Sequence, residues 1–513
     1  MYYMSIVFGL IALAIGLYLF YVYDYQRRIN RLTHNWPGPP SLPIIGHLHI
    51  LAKLVGGPRP FKRATELVNC YLKDHRGKLW LGTRLYLLDC NPKDIQALCS
   101  AQQLLQKTKD YSMFENWLCS GIFTSDVEKW TQRRKMLTPA FNYGMIKQFV
   151  NIFERQARIL LPRFAALAES GEPVDFFQLV SCYTLDTICE TALGVSVNAQ
   201  SGKKSDYFDA VREILHIIDY RLKNIFYRNS FIYSCTKLFQ RERKVLKILH
   251  GFTEGIINER LEQIQSDAIN RNNSSIENAE TGGKQPLSFL DTLLQATTPD
   301  GRPLKVQDIR EEVDTIIYGG FDLTAATLKF FMYSMTMHME YQKLCREEVW
   351  QICGKNKDDP ITMEQVRQLD YMEMCLKETL RMYPSGPITA RRATADCQIN
   401  EFLIPKGSDV IISPMYMGRC KDFFPDPLVF KPERWARDAQ PKIEASTFIP
   451  FMSGARSCVG QRYAMVMMKL VLAHLLRNFL FEPIGEKQEK ARLIFIITLH
   501  TSSPYYCRVK AIE

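Results

Sequence analysis

The chain has 513 residues, 46% hydrophobic and 23% charged, with a formal net charge of +11. Such a composition supports a large globular core without disulfides. With no block of five or more Lys/Arg it carries no nucleic-acid footprint, and an anionic membrane surface or an acidic protein remains open as partner. The 14 cysteines include no C-x-x-C pair, which excludes a zinc ribbon, a ferredoxin-type cluster and a dense disulfide framework. Most read as small buried hydrophobes in a reducing compartment.

The first element is apolar. Ile6–Tyr23 carries no charge and, at ~1.5 Å per residue, reaches roughly 27 Å, about the hydrocarbon thickness of a bilayer. No Lys or Arg precedes it, whereas Arg27, Arg28 and Arg31 follow. This is not the layout of a secretory signal or of an Arg-rich mitochondrial presequence. By the positive-inside rule the rest of the chain stays in the cytosol, anchored by one helix. A buried core helix is the alternative. Trp36-Pro37-Gly38-Pro39-Pro40-Ser41-Leu42-Pro43 cannot be helical and favours a stiff extended segment. The expected organisation is an anchor at 1–25, a basic and proline-rich linker at 26–45, and one large catalytic domain at 46–513.

Helical periodicity dominates beyond residue 45, at 145–170, 205–265, 305–340, 363–382 and 460–480. Strand-like runs are short and lie at 78–89, 397–403, 409–412 and 493–500. The fold class is therefore mainly α with small β-sheets. Asn270–Gly283 is polar and is expected as a mobile surface loop. A long helix is expected from about Lys305 to His338, with Asp308 and Glu311 as a capping box. Gly319-Gly320 falls in its middle. Two glycines there cost ~1 kcal/mol each relative to Ala. They read either as a local opening for a small ligand or as close helix packing.

The densest signal is Phe451-Met-Ser-Gly454-Ala-Arg456-Ser-Cys458-Val-Gly460. A cysteine thiolate that ligates a haem iron needs a tight loop, which Gly454 and Gly460 allow. It also needs N–H donors, from the loop and from the N-terminus of the helix that begins at Gln461. Arg456 could pair with a propionate. The alternative is a glycine turn ahead of a helix, with an ordinary buried cysteine.

The pattern F-x-x-G-x-R-x-C-x-G resembles the haem-binding loop of the cytochrome P450 family at every fixed position. Further matches appear in family order. Glu378 and Arg381 in Lys377-Glu-Thr-Leu-Arg381 resemble the E-x-x-R element, and three residues apart they share a helical face. Pro432-Glu-Arg434-Trp435 resembles P-E-R-F, with Trp for Phe. Trp130-Thr-Gln-Arg-Arg134 fits W-x-x-x-R. The resemblance implies the family fold and a haem b with Cys458 as axial ligand. It implies propionate donors at Trp130, Arg134, Arg456 and Arg391, although Arg392 beside Arg391 leaves that choice open. It also implies a buried triad of Glu378, Arg381 and Arg434. Gly121-Ile-Phe-Thr-Ser, Thr138-Pro-Ala-Phe141 and Glu312-Val-Asp-Thr315 point to the animal microsomal family-4 type.

The resemblance implies a monooxygenase of the endoplasmic reticulum membrane, its catalytic domain facing the cytosol. One atom of O2 would enter a lipophilic substrate: a fatty acid, steroid, terpenoid or xenobiotic. Electrons would come from NADPH through cytochrome P450 reductase, with cytochrome b5 as an optional second donor, and Arg437, Arg462 and Lys469 lie in regions the family turns toward the reductase. An O2-independent isomerase or dehydratase, or a haem carrier or sensor, are the alternatives. Two departures stand out. The family's A/G-G-x-D/E-T-T here reads Gly319-Gly320-Phe321-Asp322-Leu323-Thr324, so the first hydroxyl is lost. Asp322 is expected to relay protons, with Thr324 helping through water. Glu stands at the position of Gly319 in many family-4 members and can esterify the haem; here the haem is expected to be non-covalent.

Overall fold

The computed structural model describes residues 2–50, 66, 70–202, 205–224, 226–273, 288–298, 301–484 and 492–512. The described chain is mainly helical with small sheets, the class that the periodicities predict. It divides into two compact units, each with its own apolar core.

The first unit comprises Met1–Lys109, Pro387–Phe424 and Glu444–Ser457. Its leading helix, Tyr2–Leu32, is longer than the apolar run. From Tyr3 to Tyr21 every residue is exposed, large apolar side chains included. From Val22 onward one face turns inward: Val22, Gln26 and Ile29 are buried, and their spacing puts them on one side of the helix. The Gln26 amide donates to the carbonyls of Ile44 (3.2 Å) and Gly82 (2.9 Å) and accepts the Ile44 N–H at 2.8 Å. Trp36 is 2% exposed and donates its indole N–H to the Leu403 carbonyl at 3.0 Å. The segment 26–45, expected as a linker, is thus helix as far as Leu32 and then packs as part of this unit. Prolines dictate an extended backbone, not an exposed one; Trp36 supplies the apolar mass that brings it in.

A five-stranded sheet organises the rest, in the order Arg76–Leu81, Arg84–Asp89, Asp409–Ile412, Thr389–Arg392, Gln106–Lys107. The pair Arg84–Asp89 with Asp409–Ile412 is parallel and the other pairs are antiparallel. The predicted runs 78–89 and 397–403 are each two strands folded back on themselves, turning at Gly82 (φ +59°) and Asn400 (φ +48°). Each turn takes only two residues, Gly82-Thr83 and Asn400-Glu401, so strand character resumes at once and the run reads as a single strand.

The second unit comprises Asp110–Gly386, Pro425–Ile443 and Cys458–Glu513. Its axis is the helix Val306–Met337, which is buried along most of its length and packs on Phe176–Ile188. Around it lie Tyr143–Ser170, Ser205–Lys223, Lys237–Asn273, Met339–Cys353, Asp370–Met382 and Gln461–Asn478. The predicted 205–265 helix is broken: the Asn229 side chain caps a short helix, Ser230–Ser234, between two long ones. The predicted 363–382 helix breaks at Leu369. The run 493–500 is a hairpin of Leu493–Ile496 and Thr498–Thr501, turning at Ile497 (φ +62°). Of the polar stretch 270–283, residues 274–283 lie outside the described residues.

Removing residues 1–21 should leave cooperative unfolding and its midpoint unchanged. Trp36→Ala should lower stability by ~3–5 kcal/mol. Urea titration of the two proteins checks both.

Candidate active site

Within the second unit, Cys458 lies just before the helix Gln461–Asn478. Burial pushes its thiol up, while the N–H groups of Gly460 and Gln461 and the Arg134 guanidinium pull it down. The residue is nonetheless exposed. Cys458 is thus set among many protein atoms while the residue keeps exposed surface. Gly460 has ordinary backbone angles (φ −89°, ψ 7°), and an added Cβ would meet nothing within 4 Å; its contribution is an N–H and an absent side chain. Gly454, in the first unit, is different. Its φ of +72° disfavours any side chain, and a Cβ there would collide with the Cys99 carbonyl.

Trp130 and Arg134 are carried by the helix Val127–Leu137, and Trp130 is buried. Ion pairs fasten this helix to the long one: Arg133 to Asp308 at 2.8 Å and Lys129 to Glu311 at 2.6 Å. The expected capping box does not form. Lys305 is the N-cap and no side chain caps it, because Asp308 and Glu311 are turned to these cations instead.

The two glycines of the long helix divide the two readings between them. A Cβ on Gly320 would come within 2.6 Å of Ile188 Cγ1, whereas one on Gly319 would meet nothing within 4 Å. Leu323, four residues after Gly319, shares the open face; Thr324, four after Gly320, is buried on the packed face. Asp322 is buried, and burial lifts its carboxyl to about 6, opposed by the Lys329 ammonium and the Thr498 hydroxyl. Thr498 donates to Asp322 Oδ2 at 3.3 Å and lies 2.6 Å from His500 Nε2. Burial holds His500 neutral, its ring pushed down to about 3. With the Nε2–H tautomer, an unbroken donor chain runs from His500 through Thr498 to Asp322. Sequence reasoning missed Thr498 and His500, because nothing local ties that strand to residue 322.

Glu378 is fully buried. Its carboxylate accepts Arg381 Nε and Nη2, each at 2.8 Å, and Arg434 Nε at 3.2 Å. The Lys431 N–H adds a bond of 2.9 Å and the Trp435 indole one of 3.0 Å. Phenylalanine at 435 could not make the last bond, so the departure from P-E-R-F adds a donor.

In the first unit, Arg391 and Arg456 add to the burial that holds Lys107 well below its ordinary pKa. Three cationic side chains are thus gathered in one place, a donor set that suits a dianion such as the two propionates of a haem. Lys107 had no sequence signal. Arg392 is bound to Asp409 at 3.1 Å. Lys469, expected on a docking face, is 4% exposed and paired with Glu373 at 3.1 Å; Arg462 is exposed.

The sequence profile of the family described as cytochrome P450 matches residues 37–508. The chain belongs to the cytochrome P450 family. It is 69% identical over 506 residues to "Probable cytochrome P450 312a1" of Drosophila melanogaster, covering 99% of each chain. It is 40% identical to "Cytochrome P450 4d1" of Drosophila simulans, over 97% of each. With "Cytochrome P450 4V2" of Pongo abelii it shares 32% identity, over 95% of this chain and 92% of the relative. The relatives place it beside the family-4 members, as the resemblance implied. This P450 is a monooxygenase with a haem-thiolate cofactor, and its N-terminal apolar helix is of the membrane-anchor kind. Members of the family typically draw electrons from a reductase.

Because Trp435 is one donor of five, Trp435→Phe should cost about 1 kcal/mol. Glu378→Gln strands buried guanidinium charge and should cost ~3–5 kcal/mol. Thermal unfolding monitored at the Soret band distinguishes the two.

Proposed function

We propose that Cys458 is the thiolate that ligates the haem iron, and that the enzyme hydroxylates a lipophilic substrate drawn from the membrane in which it is anchored. One observation supports the first part: Cys458 is an exposed residue whose thiol is drawn toward the charged form by the Gly460 and Gln461 N–H groups and the Arg134 guanidinium, against the burial that raises it. Those donors hold negative charge on sulfur, which a ligating thiolate requires. When bound, the haem supplies reductive activation of O2, so that one oxygen atom enters a substrate C–H bond and the other leaves as water.

The remaining assignments follow from charge and space. The propionate donors are Trp130 and Arg134 of the second unit and Arg391 and Arg456, with Lys107, of the first. Arg391 takes this role rather than Arg392, which is committed to Asp409. Gly319 leaves room for dioxygen beside the helix and, having no side chain, cannot esterify the haem, so the haem is held non-covalently. Gly320 permits close packing on Ile188. Glu378, Arg381 and Arg434 stiffen the frame. Asp322 delivers protons; Thr498, not Thr324, supplies the partner hydroxyl, since Thr324 points into the packed face.

Fatty acids, steroids, terpenoids and xenobiotics all satisfy an apolar site. The location is the endoplasmic reticulum membrane with the catalytic part cytosolic, supported by Arg27, Arg28 and Arg31 after the apolar run. The electron donors are NADPH–cytochrome P450 reductase and cytochrome b5.

Two experiments test this reading. The reduced protein with carbon monoxide should show the red-shifted Soret band of thiolate ligation, and Cys458→Ser should abolish it; an unchanged band in that variant would remove the assignment. Asp322→Asn should lower product formation by ~10²-fold, the lower end of what a positioned proton donor supplies, and Thr498→Val should raise peroxide released per NADPH. Thr324→Ala should do neither. The protonated carboxyl is the donating form. Product per NADPH should therefore fall as pH rises through about 6, the value to which burial lifts Asp322, and this limb should vanish in Asp322→Asn.

A further inference from the structure

Away from the haem loop, the first unit holds a second cysteine dressed in the same way. Burial pushes the Cys420 thiol up, and the N–H groups of Asp422 and Phe423, two and three positions on, pull it down, although the Phe423 N–H donates to the Cys420 carbonyl at 3.3 Å. At Cys458 the N–H groups of Gly460 and Gln461 act at the same two offsets. N–H groups near a sulfur favour its deprotonated form once a cation takes the proton's place. At Cys420 the companions are a histidine and a carboxylate. His75 Nε2 lies 3.7 Å from Asp422 Oδ2. Cys420 Sγ lies 3.9 Å from the same carboxylate oxygen and 3.8 Å from His75 Nδ1. One ligand atom from each of the three residues falls within 4.8 Å of the others. The edges of a tetrahedron around Zn2+ with sulfur, nitrogen and oxygen ligands are roughly 3.3–3.8 Å, so small side-chain movements close the set on a cation.

The histidine is held in place at some cost. His75 and Asp74 both have positive φ, +62° and +49°, a conformation that side-chain-bearing residues adopt only when their surroundings impose it. The His75 carbonyl accepts the Cys90 N–H at 3.0 Å. Its ring lies 4.4 Å from that of Phe423, centroid to centroid, and its Nδ1 is 3.0 Å from the Tyr416 hydroxyl. Nδ1 thus faces the Tyr416 hydroxyl and the Cys420 sulfur while Nε2 faces Asp422, and one of the two ring nitrogens serves as the ligand atom. The carboxylate of Asp422 is 57% exposed and the side chain of His75 14%, so a cation can enter from solvent and keep a water as its fourth ligand.

We propose that His75, Cys420 and Asp422 form a binding site for a zinc-type divalent cation, separate from the haem iron. The donor set selects this class: thiolate and imidazole favour Zn2+ over Mg2+ or Ca2+, which take oxygen ligands. On binding, the S–H bond of Cys420 breaks, its proton leaves to solvent, and sulfur, an imidazole nitrogen and a carboxylate oxygen take the metal with no change of oxidation state. The cation ties the turn before Arg76–Leu81 to the loop after Tyr416, two segments far apart in sequence, as a clip within the first unit.

The test uses the full-length haem protein carrying Cys70→Ser and Cys235→Ser, which removes two exposed thiols. After treatment with a chelator and dialysis against buffered ZnCl2, it should retain one zinc per haem iron by elemental analysis. Cys420→Ser in this background should lose that zinc and His75→Gln should weaken its retention at least tenfold. Bound zinc should slow alkylation of Cys420, followed by peptide mass spectrometry, while the carbon monoxide spectrum stays unchanged in every variant. Should a His75 or Cys420 variant fail to fold, the exposed Asp422→Asn replaces it, and alkylation of the parent protein decides independently. Equal zinc retention by parent and Cys420→Ser, or equal alkylation of Cys420 with and without zinc, overturns the proposal.

Discussion

Glu378 has no contact with water, and its carboxylate is held by five N–H donors from four residues. An ion placed there without them would cost several kcal/mol, so the helix Asp370–Met382 and the loop that supplies Lys431, Arg434 and Trp435 must assemble together. Arg381 extends the bond set to the carbonyls of Pro427 (2.8 Å) and Val429 (3.3 Å). This segment has little regular structure of its own, and one buried charge fixes its course. The same rule governs the site. A sulfur that must carry negative charge out of water is met by N–H groups and a guanidinium. Where the first unit gathers Lys107, Arg391 and Arg456, the charge to be matched is positive, and a dianionic group is the natural complement.

Short-range rules made the chemistry legible in the sequence. The loop around Cys458 and the pair Glu378–Arg381 are local, and their spacing is their mechanism. The helices were legible where apolar periodicity ran uninterrupted, as in Tyr143–Ser170, and failed where a single residue such as Asn229 or Leu369 broke a continuing pattern. Strand runs failed for a related reason: the turns at Gly82, Asn400 and Ile497 take only one or two residues, so the runs on either side read as one. The capping box at Asp308 and Glu311 was a correct reading of local preference, overridden by Arg133 and Lys129 from another helix. Long-range pairings had no sequence signal at all. Thr498 meets Asp322 across 176 positions, and Cys420 meets His75 across 345.

Cys458 and Cys420 show how much of a metal-type ligand is set by backbone alone. Most cysteines of this chain are buried with thiols that burial pushes up, such as Cys90 and Cys507. Desolvation makes these inert. Burial pushes up the thiols of Cys458 and Cys420 as well, but neither is fully buried, and nearby N–H groups oppose the shift. Their neighbours then separate their roles: Cys458 has a cation nearby and small residues that leave room for a planar group, whereas Cys420 has an imidazole and a carboxylate.

The replacement of a hydroxyl by Leu323 is the change with the widest consequence for the chemistry, and the surroundings show why it can be tolerated. The Leu323 carbonyl already accepts two hydroxyls, from Ser385 at 2.9 Å and Thr327 at 3.0 Å. Leu323 is half-buried on the face that Gly319 leaves open, so an apolar side chain is accommodated there. In the proposed proton delivery a hydroxyl beside the carboxyl is required, and Thr498 stands there from a different element, itself within 2.6 Å of His500 Nε2. Lys329, which burial lowers to about 8, keeps a positive charge near Asp322 at neutral pH and tempers the rise of its carboxyl. A hydroxyl that arrives from a strand rather than from the next helical residue is held by tertiary packing. Its alignment with Asp322 thus depends on how the hairpin Leu493–Thr501 is seated, and a substrate that shifts this hairpin alters proton delivery without touching either side chain.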